Sequence, residues 1–177
     1  MKKLLILAIA IGLTSSLGAF GGRAAFTDQD TLTANDFDSG NVDLGLGTAS
    51  ALVTFTNMKP GDTTGTQSLV LTNNGSLSLD YTMSTTMTTD TGTPLLGDAL
   101  DLTIKTIDVT TPGTPCDDFD GTSLYALDLN GGAISPARTL AAAASETLCF
   151  EVVFPGADTA PQSATADAEF VFDSTQT

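Results

Sequence analysis

An all-β sandwich is the fold class this sequence predicts, and three observations predict it. Apolar residues recur at every second position in short stretches. Turn residues separate those stretches at roughly ten-residue spacing. Thr and Ser fill the alternate positions, as half-exposed strands prefer. No internal repeat or low-complexity linker divides the 177 residues, so a single domain is expected over residues 37–177.

The first stretch is Leu52-Val53-Thr54-Phe55-Thr56, and it runs into Asn57-Met58-Lys59-Pro60-Gly61-Asp62, where Pro-Gly marks a turn. Ser68-Leu69-Val70-Leu71-Thr72 follows, then Asn73-Asn74-Gly75-Ser76. Asn-Gly suits a type I′ hairpin, because both central residues must reach positive φ. Beyond it Leu77, Leu79, Tyr81 and Met83 alternate with polar residues, one face inward and one to solvent. Leu100, Leu102, Ile104, Ile107 and Val109 read as another strand, with a register change after Lys105 that fits a bulge. Residues 123–129 carry a weaker strand pattern. Residues 136–145 contain four consecutive alanines, and either a short helix or a tight turn satisfies them. In residues 146–154, Leu148, Phe150, Val152 and Phe154 share one face and Cys149, Glu151 and Val153 the other. Ala168, Phe170 and Phe172 alternate with Asp167, Glu169 and Val171 in the closing strand.

The first 24 residues have the layout of a secretory signal. Lys2 and Lys3 precede ten apolar residues, and Gly22-Arg23-Ala24 offers small residues before a cut between Ala24 and Ala25. A bilayer span needs about 20 apolar residues, so no stable membrane span is expected after cleavage. The expected product is secreted, extracellular or at the cell surface.

Six Lys and Arg stand against 21 Asp and Glu, with no histidine, for a formal net charge of −15. Three of the six cations precede Ala25, so the remainder carries three against 21, a net charge of −18. Sequence-independent nucleic-acid binding needs Lys and Arg to displace counterions, so that class is excluded; anionic lipid is disfavoured for the same reason. Without histidine the commonest general base and the commonest zinc ligand are missing. No HExxH or nucleophile-elbow motif occurs, and no catalytic residue or cofactor is expected. Cys116 and Cys149, an even pair in an exported chain, point to a disulfide, the alternative being two thiols that never meet. Closing a loop of about 33 residues adds on the order of 3 kcal/mol.

Five motifs stand in order: Ala25-Phe26-Thr27-Asp28, then Phe37-Asp38-Ser39-Gly40-Asn41-Val42-Asp43-Leu44, Asn57-Met58-Lys59-Pro60-Gly61-Asp62, Asn73-Asn74-Gly75-Ser76-Leu77, and the closing Phe170-Val171-Phe172-Asp173-Ser174-Thr175-Gln176. In this order the chain resembles the TasA/camelysin family of secreted fibre proteins. The resemblance covers the first 60 or so residues after the signal and the last strand; residues 85–144 show no matching motif. It implies a jelly-roll sandwich that polymerises by donor-strand exchange, with cleavage by the family's dedicated signal peptidase. The donor is then Ala25-Phe26-Thr27-Asp28-Gln29-Asp30-Thr31-Leu32-Thr33, within an N-terminal segment of residues 25–36. Its composition agrees: it is polar and Pro-free, and Phe26 and Leu32 fall on one face of a strand. Two apolar anchors cannot hold a strand alone but suit an open sheet edge. An ordinary first strand or a frayed terminus is the alternative. Head-to-tail donation does not close, so it yields a homopolymeric filament, and exposed charge makes its growth salt-dependent.

Two other functions fit parts of the sequence. Some relatives are classed as metallopeptidases, although the missing histidines depart from what zinc requires. Asp117, Asp118 and Asp120 before Gly121 loosely resemble a Ca²⁺ loop, which would suit an acidic surface-binding module, or else a solvated turn. Asn74-Gly75-Ser76 is also a formal glycosylation sequon. The expected function is a non-enzymatic filament subunit whose partners are identical copies.

Overall fold

The computed structural model describes residues 40–47, 52, 58–110, 113–156, 161 and 163–177. The signal segment, the Ala24–Ala25 junction, the donor segment 25–33 and residues 53–56 of the first expected strand lie outside them. Among the described residues, β1 (Leu44–Leu46), β2 (Gln67–Asn73), β7 (Ser145–Val153), β4 (Asp101–Thr106) and β5 (Ser123–Asp128) form a five-stranded sheet in that order. A second sheet orders β6 (Ala133–Leu140), β3 (Leu79–Asp90) and β8 (Ala166–Gln176). Every pairing is antiparallel. One helical turn, α1 (Leu96–Ala99), precedes β4.

The period-two pattern sets which side chains meet between the sheets. Leu69 and Leu71 of β2, Tyr81 and Met83 of β3, Leu102 and Ile104 of β4, and Leu148, Phe150 and Val152 of β7 are all buried in one core. Full burial of such a side chain contributes about 1.5–3 kcal/mol. Phe150 meets Phe170 with ring centroids 5.3 Å apart, and Tyr81 meets Phe172 at 6.3 Å, so β8 is tied to both sheets.

Three nested pairs, β4 with β5, β3 with β6 and β2 with β7, give the connectivity of a long hairpin wrapped over itself, a jelly roll. The next pair outward would set β8 against a strand preceding β2. Among the described residues β8 pairs with β3 on one edge and has no strand on the other, and β1 lies on the far flank of β2.

The structure corrects the Asn73–Ser76 hairpin. β2 and β3 belong to different sheets, so this turn crosses the sandwich. Gly75 is not among the positive-φ glycines, so the turn is not type I′. Gly75 serves close approach instead: a Cβ there would collide with the Asn41 carbonyl oxygen. The expected bulge near Lys105 is present, as a register shift against β5 between Ile104 and Lys105. β4 ends at Thr106, so Ile107 and Val109 lie beyond the strand. The alanine run resolves into β6 followed by a tight turn, in which Ala144 donates to the Ala141 carbonyl at 3.1 Å and Ala143 takes φ 56°.

Candidate assembly edge

The motifs of the sequence interlock in space. Asn74 N–H donates to the Asp43 carbonyl at 2.7 Å and Ser76 N–H to the Asn41 carbonyl at 3.1 Å. In return the Asn41 N–H donates to the Ser76 hydroxyl at 3.1 Å. Beneath this clasp lies Asn73, fully buried. Its amide nitrogen donates to the carbonyls of Leu77, Leu140 and Ala141 at 2.8–3.1 Å, and its oxygen accepts the Gly75 N–H at 2.9 Å. One side chain thus ties the β2–β3 turn to the end of β6 and the turn that follows it. The Lys59–Asp62 turn closes on itself through Asp62 N–H to the Lys59 carbonyl at 3.0 Å, with Gly61 at φ 96°. It docks on β7's end, where Gly61 donates to Phe154 at 2.7 Å and Phe154 to Asp62 at 2.8 Å. Conserving the turn's shape therefore also lengthens the β2–β7 ladder, through a bridge from Thr63 to Val153.

These clasps hold an unequal sandwich. Leu46 shares the inward face with Leu71 yet is 46% exposed, because the three-stranded sheet does not reach over it. At the other flank Leu127 shares the inward face with Leu102 and is 67% exposed. The two flanks differ in how their edges are closed. Beside β5 the three-stranded sheet ends in β6, whose pairing with β3 shifts register around Pro136. Proline and a bulge both block ladder extension, and a cavity of about 320 Å³ lined by Ser123, Leu124, Ile134, Pro136 and Arg138 is left at that mouth.

β8 has neither device. It runs 11 residues without proline, and its register shift against β3 lies on β3's side, between Met87 and Thr89. Among the described residues no strand pairs with its outer edge. Its inward residues Ala166, Ala168, Phe170 and Phe172 pack against the core but are only half-buried, unlike Leu79, Tyr81 and Met83 on the neighbouring strand. Asp167, Glu169, Val171 and Asp173 alternate with them toward solvent. A long, unblocked edge with apolar side chains beneath it is the geometry that accepts an added strand.

Polar side chains also link the two sheets. Tyr81 donates from β3 to Glu146 of β7 at 2.6 Å, and Arg138 of β6 forms an ion pair with the same carboxylate, tying the two sheets. Burial, then the bond to Glu146, pushes the Tyr81 phenol above its ordinary range. The bond to Glu146 likewise raises Arg138. Sequence reasoning missed this triad, since its members are 57 and 8 residues apart and share no motif.

Cys116 and Cys149 are bonded, with Cα atoms 5.4 Å apart. Cys149 lies on the outer face of β7 and is nonetheless fully buried, because the loop carrying Cys116 covers it. Two carboxylates clamp that loop reciprocally. Buried Asp108 accepts the N–H groups of Asp118 at 2.9 Å and Asp120 at 3.2 Å. Asp120 accepts the Val109 N–H at 2.7 Å and both N–H and hydroxyl of Thr110. The Thr110 hydroxyl and Val109 N–H bonds hold the Asp120 carboxyl below its ordinary value of 3.8. Lys105 completes the clamp with a 2.7 Å bond to the Phe119 carbonyl and its ammonium 4.4 Å from that ring's centroid. The three candidate ligands Asp117, Asp118 and Asp120 are thus not gathered on a common point, and among the described residues no three His, Cys, Asp or Glu side chains come together.

A family model described as camelysin metallo-endopeptidase matches residues 1–106. No curated protein matches the chain. The family's description implies a metal, and the described residues do not fit one. The chain has no histidine, both thiols are consumed by the disulfide, and Asp108 and Asp120 are committed to backbone N–H groups.

Proposed function

The chain belongs to the camelysin metallo-endopeptidase family, and within it we propose that it acts as a non-enzymatic structural subunit of an extracellular filament, built head to tail by donor-strand complementation. The open outer edge of β8 is the observation that carries this reading. Among the described residues a jelly roll's nested pairing lacks its outermost partner there, and the half-buried Phe170 and Phe172 lie beneath the gap. In the filament, residues 25–33 of one subunit occupy that edge on the next. Signal cleavage at the Ala24–Ala25 junction frees the segment, so export gates assembly. Because each subunit gives a strand at one place and takes one at another, the contact does not close, and the product is linear.

Among the described residues no helix is long and apolar enough to cross a membrane. The test is removal of residues 25–33 from the processed chain. The truncated protein keeps the far-ultraviolet spectrum and cooperative unfolding of the parent but stays monomeric by light scattering and electron microscopy. Filaments from the truncated protein under the same conditions would sink the proposal. The family's description favours one other reading, a secreted metallopeptidase. Metal analysis and a chelator-sensitive casein assay separate the two: stoichiometric zinc together with cleavage overturns the structural reading.

A further inference from the structure

We infer that the strand added to β8 lies antiparallel to it in one register, with Phe26 of a second copy opposite Ser174 and Leu32 opposite Ala168; this rests on the filament reading above and adds the address of the contact. The inward face of β8 reads, in order, Ala166, Ala168, Phe170, Phe172 and Ser174, two small residues, two large ones and a small one. By parity, the face of the donor segment that holds Phe26 and Leu32 reads Phe26, Asp28, Asp30 and Leu32, two large residues bracketing two smaller ones. The only antiparallel register that sets both large anchors over small residues is the one stated, and it leaves Asp28 and Asp30 over Phe172 and Phe170.

From the other side, β3 likewise sets a large residue over each of the two small positions, Ser174 and Ala168. Tyr81 faces Ser174 and Met87 faces Ala168, while Met83 and Thr85 face the two phenylalanines. A strand on the open edge would repeat this alternation. Charge selects the same register. On the outward face it pairs Thr27 with Asp173, Gln29 with Val171, Thr31 with Glu169 and Thr33 with Asp167, so no two carboxylates are opposed. A shift of one residue sets Asp28 against Asp173 or Asp30 against Glu169, and directly opposed like charges are destabilising. A shift of two sets Phe26 against Phe172 or Leu32 against Phe170, so the two anchors no longer both lie over small residues. Length agrees as well, since the nine residues from Ala25 to Thr33 then span Thr175 to Asp167 within the 11-residue edge. Antiparallel direction follows from the sandwich, in which every ladder is antiparallel and the vacant outermost pair continues three nested antiparallel pairs.

Asp28 and Asp30 carry the cost of this arrangement. Phe170 and Phe172 are only partly buried, and an edge strand keeps its outer flank to water, so the carboxylates retain hydration. The segment is also too polar to stay in the groove without the full ladder, which makes backbone pairing, and hence register, the source of affinity.

Disulfide trapping tests the inference on the full processed chain. Opposed residues on antiparallel strands lie about 4.5–5.5 Å apart, within disulfide reach, whereas diagonal ones at about 7–8 Å are outside it. The double variant Gln29→Cys/Val171→Cys is assembled under mild oxidation and run on a denaturing, non-reducing gel. A covalent ladder of dimers and higher species is expected, with yield at least tenfold above Gln29→Cys/Glu169→Cys and Gln29→Cys/Asp173→Cys. Thr31→Cys/Glu169→Cys shares the stated register and serves if the first pair impairs filament growth. Filaments whose ladder comes from an off-register pair, or from none of these, overturn the register while leaving strand donation standing. A cross-link of the stated pair confined to monomers supports the register and overturns donation between copies. A monomeric bond in Thr54→Cys/Val171→Cys shows the chain's own residues 52–56 on this edge and overturns both.

Discussion

Asn73→Ala separates the two roles that Asn73-Asn74-Gly75-Ser76 could have. If the motif were a two-residue hairpin, Asn74 and Gly75 would carry it and Asn73 would be an ordinary strand end. In the fold, Asn73 is fully buried and its amide serves four backbone groups. The NH₂ has two hydrogens for three carbonyls, so truncation removes about two donor bonds and one acceptor bond. At about 1 kcal/mol net per bond, plus the cost of leaving the buried Gly75 N–H and Leu140 carbonyl unpaired, the loss is about 3–5 kcal/mol. Urea unfolding reads it directly. With a slope of about 2 kcal/mol per molar, the midpoint falls by about 2 M while the slope is unchanged. Asn74→Ala is the control: Asn74 is exposed, its N–H bond to Asp43 survives truncation, and such surface changes stay within about 0.5 kcal/mol. A midpoint shift under about 0.5 M for Asn73→Ala, or one no larger than that of Asn74→Ala, would refute the reasoning.

Three further outcomes test other parts of the fold. The Tyr81 phenol is raised above its ordinary 10.0 by burial and by Glu146; the fold favours the neutral form, so its contribution is complete below about pH 10 and is lost as pH rises toward the folded value. Tyr81→Phe should therefore flatten the alkaline limb of a stability-against-pH curve, and an unchanged limb counts against the triad. Asp108→Ala strips two backbone N–H groups of their acceptor, costs about 2–3 kcal/mol and speeds amide exchange at Asp118 and Asp120. Asp108→Asn, which keeps one acceptor, falls between; exchange unchanged in both would show that the disulfide alone holds the loop. Filament growth should quicken as salt rises from about 0.01 M to about 0.15 M, because the screening length falls from about 30 Å to about 8 Å and β8 presents Asp167, Glu169 and Asp173 outward. A growth rate indifferent to ionic strength removes charge as a regulator.

Period-two alternation by itself marked β2, β3, β4, β7 and β8 but not β1 or β6, because burial on one face is a local demand that each stretch must meet with its own side chains. It put Leu148, Phe150, Val152, Ala168, Phe170 and Phe172 on the faces where the structure has them. The strand-to-sheet assignment was not legible there. Asn-Gly is compatible with a hairpin and with a crossover, and only the arrival of Asn41 over Gly75 decides between them. Nor could spacing reveal that Asp108 is buried, that Asp120 clamps a loop instead of joining Asp117 and Asp118, or that Tyr81, Arg138 and Glu146 share one site. Such contacts join residues from distant stretches, and no local preference records them. Most of all, the tertiary structure decided which edge is open. Every strand carries unpaired backbone groups until its neighbours are placed, and only the packing of five strands against three leaves the outer edge of β8 without a partner among the described residues.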